Sequence, residues 1–450
     1  MRKSLVIVAV VVVLLLALGA GGVFYVAREA ESQFDAALER FSSPPTMVLK
    51  KVSWQGKLFG AEAESSLEIS AGPQKIAIPF KHVISYAPFA SGLAEVHTEM
   101  VVPPPFKPMV DNVLKGAAPL SGNTILGFDG TQETQFESPA FTLKDPNGTA
   151  TWQGIKGTIT VKDAHVVLTA SAPGLKAQSP LGNLTVQGMS LKADMTKAAD
   201  DIWFGSNAVE MAKLEAVPPL MPSVAVDGFR LSGTLAEQGP GLVRYGVGID
   251  LKRVAAQEMT FTNIGYELEL SNLDRGLLVK WSKAMEKFRP KGADPGAEVA
   301  GMFVNDLTAF LKRSPKATLK RCTAVTPWGD FKATATATFD GKGEVPLEPM
   351  ALTSRVGIEG KLDISASLLT WALQQQVKER ANLIANAGKK PQPEQAQMLT
   401  EKLAQVRLTR LEQTGTVLRN GDRYVVDVKM KDGAPTVNGK RLEEIGSLIE

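Results

Sequence analysis

The stretch from Leu5 to Ala27 limits this chain more than any other feature, because it carries no charged residue. As a helix it would run roughly 34 Å, against a bilayer hydrocarbon core about 30 Å thick. Arg2 and Lys3 precede it, so the positive-inside rule holds the N-terminus in the cytoplasm and sends the remainder across. Phe24 and Tyr25 fall where interfacial aromatics are favoured. The alternative is a cleaved signal peptide, with Ala17 and Gly19 as small residues at a cleavage site. Two features weigh against it. The apolar run is longer than a signal h-region. Helical spacing also continues through Phe34, Leu38 and Phe41 until Pro44-Pro45 stops it. Residues 1–27 are therefore expected to be a retained transmembrane anchor, and residues 28–45 a helical stalk and linker.

Beyond the anchor the chain alternates apolar and polar residues with period two, as in Glu267-Leu268-Glu269-Leu270 and Leu184-Thr185-Val186-Gln187. Turn signals recur at Asp145-Pro146-Asn147-Gly148, Ser171-Ala172-Pro173-Gly174, Pro180-Leu181-Gly182-Asn183 and Gln238-Gly239-Pro240-Gly241. The phase of the apolar positions changes near Gly188, which predicts a β-bulge there. Residues 46–273 read as an antiparallel β-rich region. Residues 274–450 read as an α+β region with helices near 295–313, 367–386 and 394–406. Asp294-Pro295 opens the first of these helices. Leu369, Leu373 and Val377 mark the second, and Leu399, Leu403 and Val406 the third. Asn438-Gly439 suits a type I′ turn. The expected fold class is α+β: mostly long antiparallel β-sheet, a few packed helices and an N-terminal transmembrane helix.

Charge and chemistry exclude several roles. Removing Arg2 and Lys3 leaves 50 − 2 = 48 basic residues against 47 acidic ones. No basic block is present to track phosphates, so nucleic acid is not an expected partner. Cys322 is the only cysteine, so an intrachain disulfide is excluded, and it reads as a buried strand residue. The three histidines, His82, His97 and His165, lie far apart in sequence and form no metal-ligand spacing. Nucleophile elbows, phosphate-binding loops and dinucleotide fingerprints are absent from the sequence. Asp250 and Glu269 read as solvent-facing strand carboxylates. Trp54, Trp152, Trp203, Trp281, Trp328 and Trp371 are dispersed and read as packing residues. Gly60, Gly157, Gly233 and Gly360 read as strand bends rather than ligand contacts. No catalytic, cofactor-binding or metal residue is expected, and no cofactor.

Several landmarks, in order, resemble the YdgA-like family of bacterial envelope proteins, a domain of unknown function. They begin with the anchor, Val52-Ser53-Trp54, and Leu58-Phe59-Gly60-Ala61-Glu62-Ala63. His82 and Pro88-Phe89 are similar to a spread form of the family's His-Gly-Pro-Phe segment. Phe310-Leu311-Lys312-Arg313-Ser314-Pro315 leads into Thr326-Pro327-Trp328-Gly329-Asp330, and Lys431-Asp432-Gly433 precedes Thr436-Val437-Asn438-Gly439-Lys440. The resemblance implies a single-pass bacterial inner-membrane protein, N-terminus cytoplasmic and bulk periplasmic, and implies no reaction. The first expectation is a non-enzymatic binding or assembly role. A carrier of lipid or another hydrophobic ligand on an apolar β-groove is the second, and a periplasmic hydrolase with a dispersed site the third. Partners beyond the inner membrane are left open between a lipid, a protein on the helical pair at 367–406, and a second copy of the chain.

Overall fold

Period-two alternation over long runs, broken by tight turns, can satisfy its backbone only in antiparallel ladders. The computed structural model describes residues 27–39, 42, 47–71, 74–86, 92–104, 107–288, 306–346, 348–385 and 393–442. The anchor expected at 1–27 lies outside them except for Ala27, as does the beginning of the helix expected at 295–313. Among the described residues no helix is long and apolar enough to cross a membrane. The chain divides into two units, residues 1–207 with 279–299 and residues 208–278 with 300–450.

In the first unit, helix α1 (residues 27–39) precedes β1 (Met47–Lys57), β2 (Gly60–Ala71), β3 (Gln74–Tyr86) and β4 (Ala94–Met100). Helix α2 (Lys107–Leu114) leads to β5 (Ser121–Leu126), β6 (Gln132–Ser138), β7 (Phe141–Asp145) and β8 (Gly148–Trp152). Then come β9 (Ile155–Lys162), β10 (His165–Ser179), β11 (Gly182–Lys197) and the start of β12 (Trp203–Val217). Pairing runs β1–β2–β3–β4–β5–β6–β9–β10–β11, all antiparallel, with β7–β8 added beside the far end of β10. Residues 28–45 read as a stalk, yet α1 lies against this sheet. Its Ala30 and Phe34 are buried with Ala61, Ala63, Ile84, Tyr86 and Val96. Lys51 of β1 bonds Glu31 and Asp35 of the helix at 3.2 and 2.6 Å.

The second unit holds β13 (Val224–Gly239), β14 (Leu242–Ala256) and β15 (Met259–Asp274), then α3 (Arg275–Phe288), whose first turn belongs to this unit. The helical residues 306–311 (α4) precede β16 (Lys316–Thr326), β17 (Gly329–Phe339), α5 (Pro349–Thr353) and β18 (Val356–Ser365). Helices α6 (Ala366–Ala385) and α7 (Pro393–Thr414) are followed by β19 (Leu418–Asn420), β20 (Arg423–Lys431), β21 (Ala434–Val437) and β22 (Lys440–Arg441). Here the order is β13–β14–β15–β16–β17–β18–β20, with β19 and β21–β22 added to β20. Helix α6 packs on β17, β18 and β20 through Leu368, Leu369 and Leu373, and α7 joins that core through Leu408 and Leu411. The stripe Leu399, Leu403, Val406 faces solvent instead. Helix α7 thus carries two apolar rows, and Ala404, Leu408 and Leu411, again at i, i+4 and i+7, supply the packed one.

Two expectations about turns fail for one reason. Ser171-Ala172-Pro173-Gly174 is not a turn but the middle of β10, and Gly188 makes no register bulge. Ala172 pairs Met189 and Gly174 pairs Gln187, so Pro173 and Gly188 oppose each other with register kept on both sides. Gly188 has φ +62°, which shifts the pleat by one residue without an inserted one. Pro173 sits where β10 leaves β9 at Ser171 and takes up β8 at Leu175, so its missing N–H interrupts a gap already present in the ladder. The second unit repeats the device. Asp227 pairs Arg253 and Arg230 pairs Asp250, with Gly228 at φ +64° between them. Asn438-Gly439 does form the expected turn, with φ +50° and +81°. Gly188→Ala should cost about 1–2 kcal/mol, the strain of an L-residue held left-handed. A urea titration should show it as a lower midpoint, with Leu181→Ser at an exposed hairpin tip as the near-neutral control.

Candidate ligand-binding face

Residues paired directly across antiparallel strands point to the same side of the sheet, so the register sorts side chains into faces. In the second unit one ladder reads Thr234, Gly246, Glu269, Thr318, Thr336, Glu359, Lys429. The neighbouring ladder, on the opposite face, reads Leu235, Tyr245, Leu270, Ala317, Ala337, Ile358, Met430. Two further ladders extend the apolar face: Gly233, Val247, Leu268, Leu319, Ala335, Gly360, Val428, and Leu231, Ile249, Tyr266, Cys322, Ala333, Leu362, Val426. The polar face is laced by ion pairs such as Lys320–Glu269 at 2.7 Å and Arg321–Asp250 at 2.6 Å. Hydrogen bonding to Lys320 holds the Glu269 carboxyl below its ordinary range.

No residue of the three apolar ladders is buried. All are half-buried or exposed, with Tyr245 at 41%. Under α6 and α7 the buried Ile364, Tyr424, Leu368, Leu408 and Val417 close one corner of the face, and the paired Val243 and Leu273 are buried at another end of β14 and β15. Trp328 and Trp371 stack there at 3.8 Å. Cys322 belongs to the open face and is half-buried, not the buried residue its strand setting suggests. A Cβ on Gly360 would meet nothing closer than 3.7 Å, so this glycine leaves room above the sheet. Gly60 differs, since a Cβ there would strike the Ile84 carbonyl oxygen at 2.2 Å. Gly157 lies beneath the Phe136 ring, 2.3 Å from where its Cβ would stand.

The first unit shows the same face with and without a cover. One ladder runs Ala61, Ile84, Val96, Thr124, Thr134, Ile159, Leu168, Ala193. Ala61, Ile84 and Val96 are buried in the cluster that holds α1, and every later member is half-buried.

Of the three histidines, only His82 sits in a built environment. It is 6% exposed on β3, with Nε2 2.8 Å from Ser65 Oγ and Nδ1 2.8 Å from Thr98 Oγ1. The Phe34 ring of α1 meets it edge-on at 4.9 Å. A serine beside a histidine is the pairing a hydrolase would use, but Ser65 is 1% exposed and can reach no substrate in this arrangement. His97 instead bonds Asn123 and Glu99 at the surface, and His165 bonds Asp194 there. Among the described residues no three His, Cys, Asp or Glu side chains come together at metal-binding range. The open faces, rather than any polar cluster, are the feature that calls for an occupant. Sequence reading placed the alternation correctly but could not foresee that helices would leave most of it bare.

A family model described as a bacterial protein of unknown function, DUF945, matches residues 1–444. No curated protein and no solved structure matches the chain.

Burial pushes the His82 pKa down to about 4, because desolvation disfavours the charged imidazolium there. The unfolded chain, with a histidine pKa near 6.5, then binds more protons between those values. Stability from this group is therefore complete above about pH 6.5 and is lost as pH falls towards about 4, by about 3 kcal/mol in total. Urea titrations across that window should show the decline in the native chain. His82→Asn should flatten it, and substitution of the exposed His97 should leave it in place.

Proposed function

The chain belongs to the DUF945 family of bacterial proteins of unknown function, and from that premise we propose that it is a membrane-anchored envelope protein of the YdgA-like kind. Its role is non-enzymatic: it binds the hydrocarbon chains of lipids along its open apolar sheet faces. The observation that carries this reading is the set of three apolar ladders in which no residue is buried: Leu362 and Val426, at the β18 and β20 end, pack against the cluster under α6 and α7, and the ladders run on from there across β13 to β16. A face of that size left to water is uncommon in a soluble domain and marks a place for a partner or ligand. At about 4.8 Å per strand, six steps span roughly 29 Å. A lipid chain, which spans about half of the ~30 Å bilayer core, fits within that distance. Each buried CH₂ would contribute about 0.8 kcal/mol.

The apolar run Leu5–Ala27 supports this reading by keeping the sheets beside a bilayer that can supply such chains. The polar ladders on the reverse face, tied by ion pairs, supply the solvated side.

A photo-crosslinking benzophenone side chain placed at Leu268 or Ile249 of the full chain tests the reading in native membranes. Irradiation should give lipid adducts by mass spectrometry at these positions and none at Thr318 or Thr336 on the opposite face. Leu268→Asp should lower adduct yield at Ile249 severalfold. Equal labelling of both faces, or protein adducts in place of lipid, would sink the proposal and return the face to an assembly role.

A further inference from the structure

The connection from β12 to β13 is apolar and strongly exposed. Leu220 is 97% and Met221 69% exposed, in the run Pro218-Pro219-Leu220-Met221-Pro222. From Ala216 to Val226 there is no charged residue. Charges resume only as ion pairs at the base: Lys213 with Glu215 at 2.8 Å, and Arg253 with Asp227 at 3.2 Å. Three of the five residues in the tip are prolines, which carry no N–H. Entering hydrocarbon costs a segment mainly its unsatisfied backbone donors and its charges, and this tip is short of both.

The tip is also continuous with the open face. Val226, Val254 and Phe261 form one ladder, followed by Val224, Ala256 and Met259. The Phe261 ring packs edge-on against Trp328 at 6.4 Å, and Trp328 belongs to the cluster with Phe331, Leu362 and Val426. These ladders therefore lie on the apolar side, beyond the pleat shift at Gly228. Val224 and Met259 are exposed, so the ladder that leads into the tip is apolar and solvent-facing like Leu220 and Met221.

We propose that the β12–β13 tip, Val217 to Val224, docks the second unit onto a lipid bilayer by inserting Leu220 and Met221 among the acyl chains. The proposal rests on the lipid-binding reading above and adds the point at which a chain passes between membrane and sheet. A bilayer suits this tip better than a protein partner does. It is an uncharged tip with Leu220 and Met221 fully or largely exposed, and a fluid hydrocarbon layer needs no complementary shape.

The test uses the full chain with Cys322→Ala, reconstituted into phosphatidylethanolamine–phosphatidylglycerol vesicles. Leu220→Cys carries an environment-sensitive fluorophore, and Leu181→Cys, at an exposed hairpin tip of the other unit, serves as control. With nitroxide-labelled lipid present, the label at 220 should shift to the blue and lose emission, and the label at 181 should do neither. Emission at 220 that ignores the nitroxide lipid, or equal quenching at both positions, would overturn the docking. Unquenched label with lipid adducts still forming at Leu268 would remove the docking alone. Quenching at 220 without adducts at Leu268 would keep the docking and remove the lipid-face reading.

Discussion

The structure depends on an imbalance between sheet and cover. An antiparallel sheet that is apolar on one side must have that side shielded, and helices are the usual shield. In the second unit α6 and α7 reach β17, β18 and β20, and the apolar ladders continue past them across β13 to β16. In the first unit α1 buries the beginning of a ladder at Ala61, Ile84 and Val96 and leaves Ile159 and Leu168 half-buried. The ladder shows what a cover does to these positions: its aliphatic members are buried under α1 and half-buried beyond Thr124 and Thr134, whose hydroxyls bond each other at 2.8 Å. Folding must be carried by ladder hydrogen bonds, cross-strand contacts and the two small helix-capped cores.

Keeping so wide a face on one side requires control of the pleat. Each strand is long enough for a single slip to turn its apolar residues outward. The chain corrects phase by left-handed residues rather than inserted ones at Gly188 and Gly228, preserving register on both flanks. Bulges that do shift register occur elsewhere, between Leu319 and Cys322 opposite β17 for example. Even there the apolar set stays together: Leu319 faces Ala335 and Cys322 faces Ala333.

What could be read from the sequence was local. Period-two alternation gave the strands, and the positive φ demanded by Asn438-Gly439 and by Pro240-Gly241 gave their turns. Ser171-Ala172-Pro173-Gly174 misled because its composition is that of a turn. Its role depends on Gly188, which lies on the partner strand. The α7 stripe at Leu399, Leu403 and Val406 was visible but faces away from its own core, since a second row at Leu408 and Leu411 competes for it. Periodicity identifies an apolar row but not the row that tertiary packing selects. The candidate face was legible only in half, because alternation reveals that one side is apolar and says nothing of how much helix will cover it.

The two ways of finishing such a face can be compared at His82. Under α1 the sheet tolerates polar groups only where they satisfy one another, and Ser65, His82 and Thr98 form a closed set beneath Phe34. A permanent protein cover lets such a network exist, because its geometry never changes. The open ladders of the second unit contain no comparable network: Leu268, Leu319, Ile249 and Ile358 meet their neighbours with hydrocarbon, and only the Tyr245 and Tyr266 hydroxyls and the Cys322 thiol interrupt it. An occupant that exchanges cannot be relied on to satisfy buried polar groups, so a face meant for one should offer few. The contrast between the sealed end and the bare end follows from that requirement.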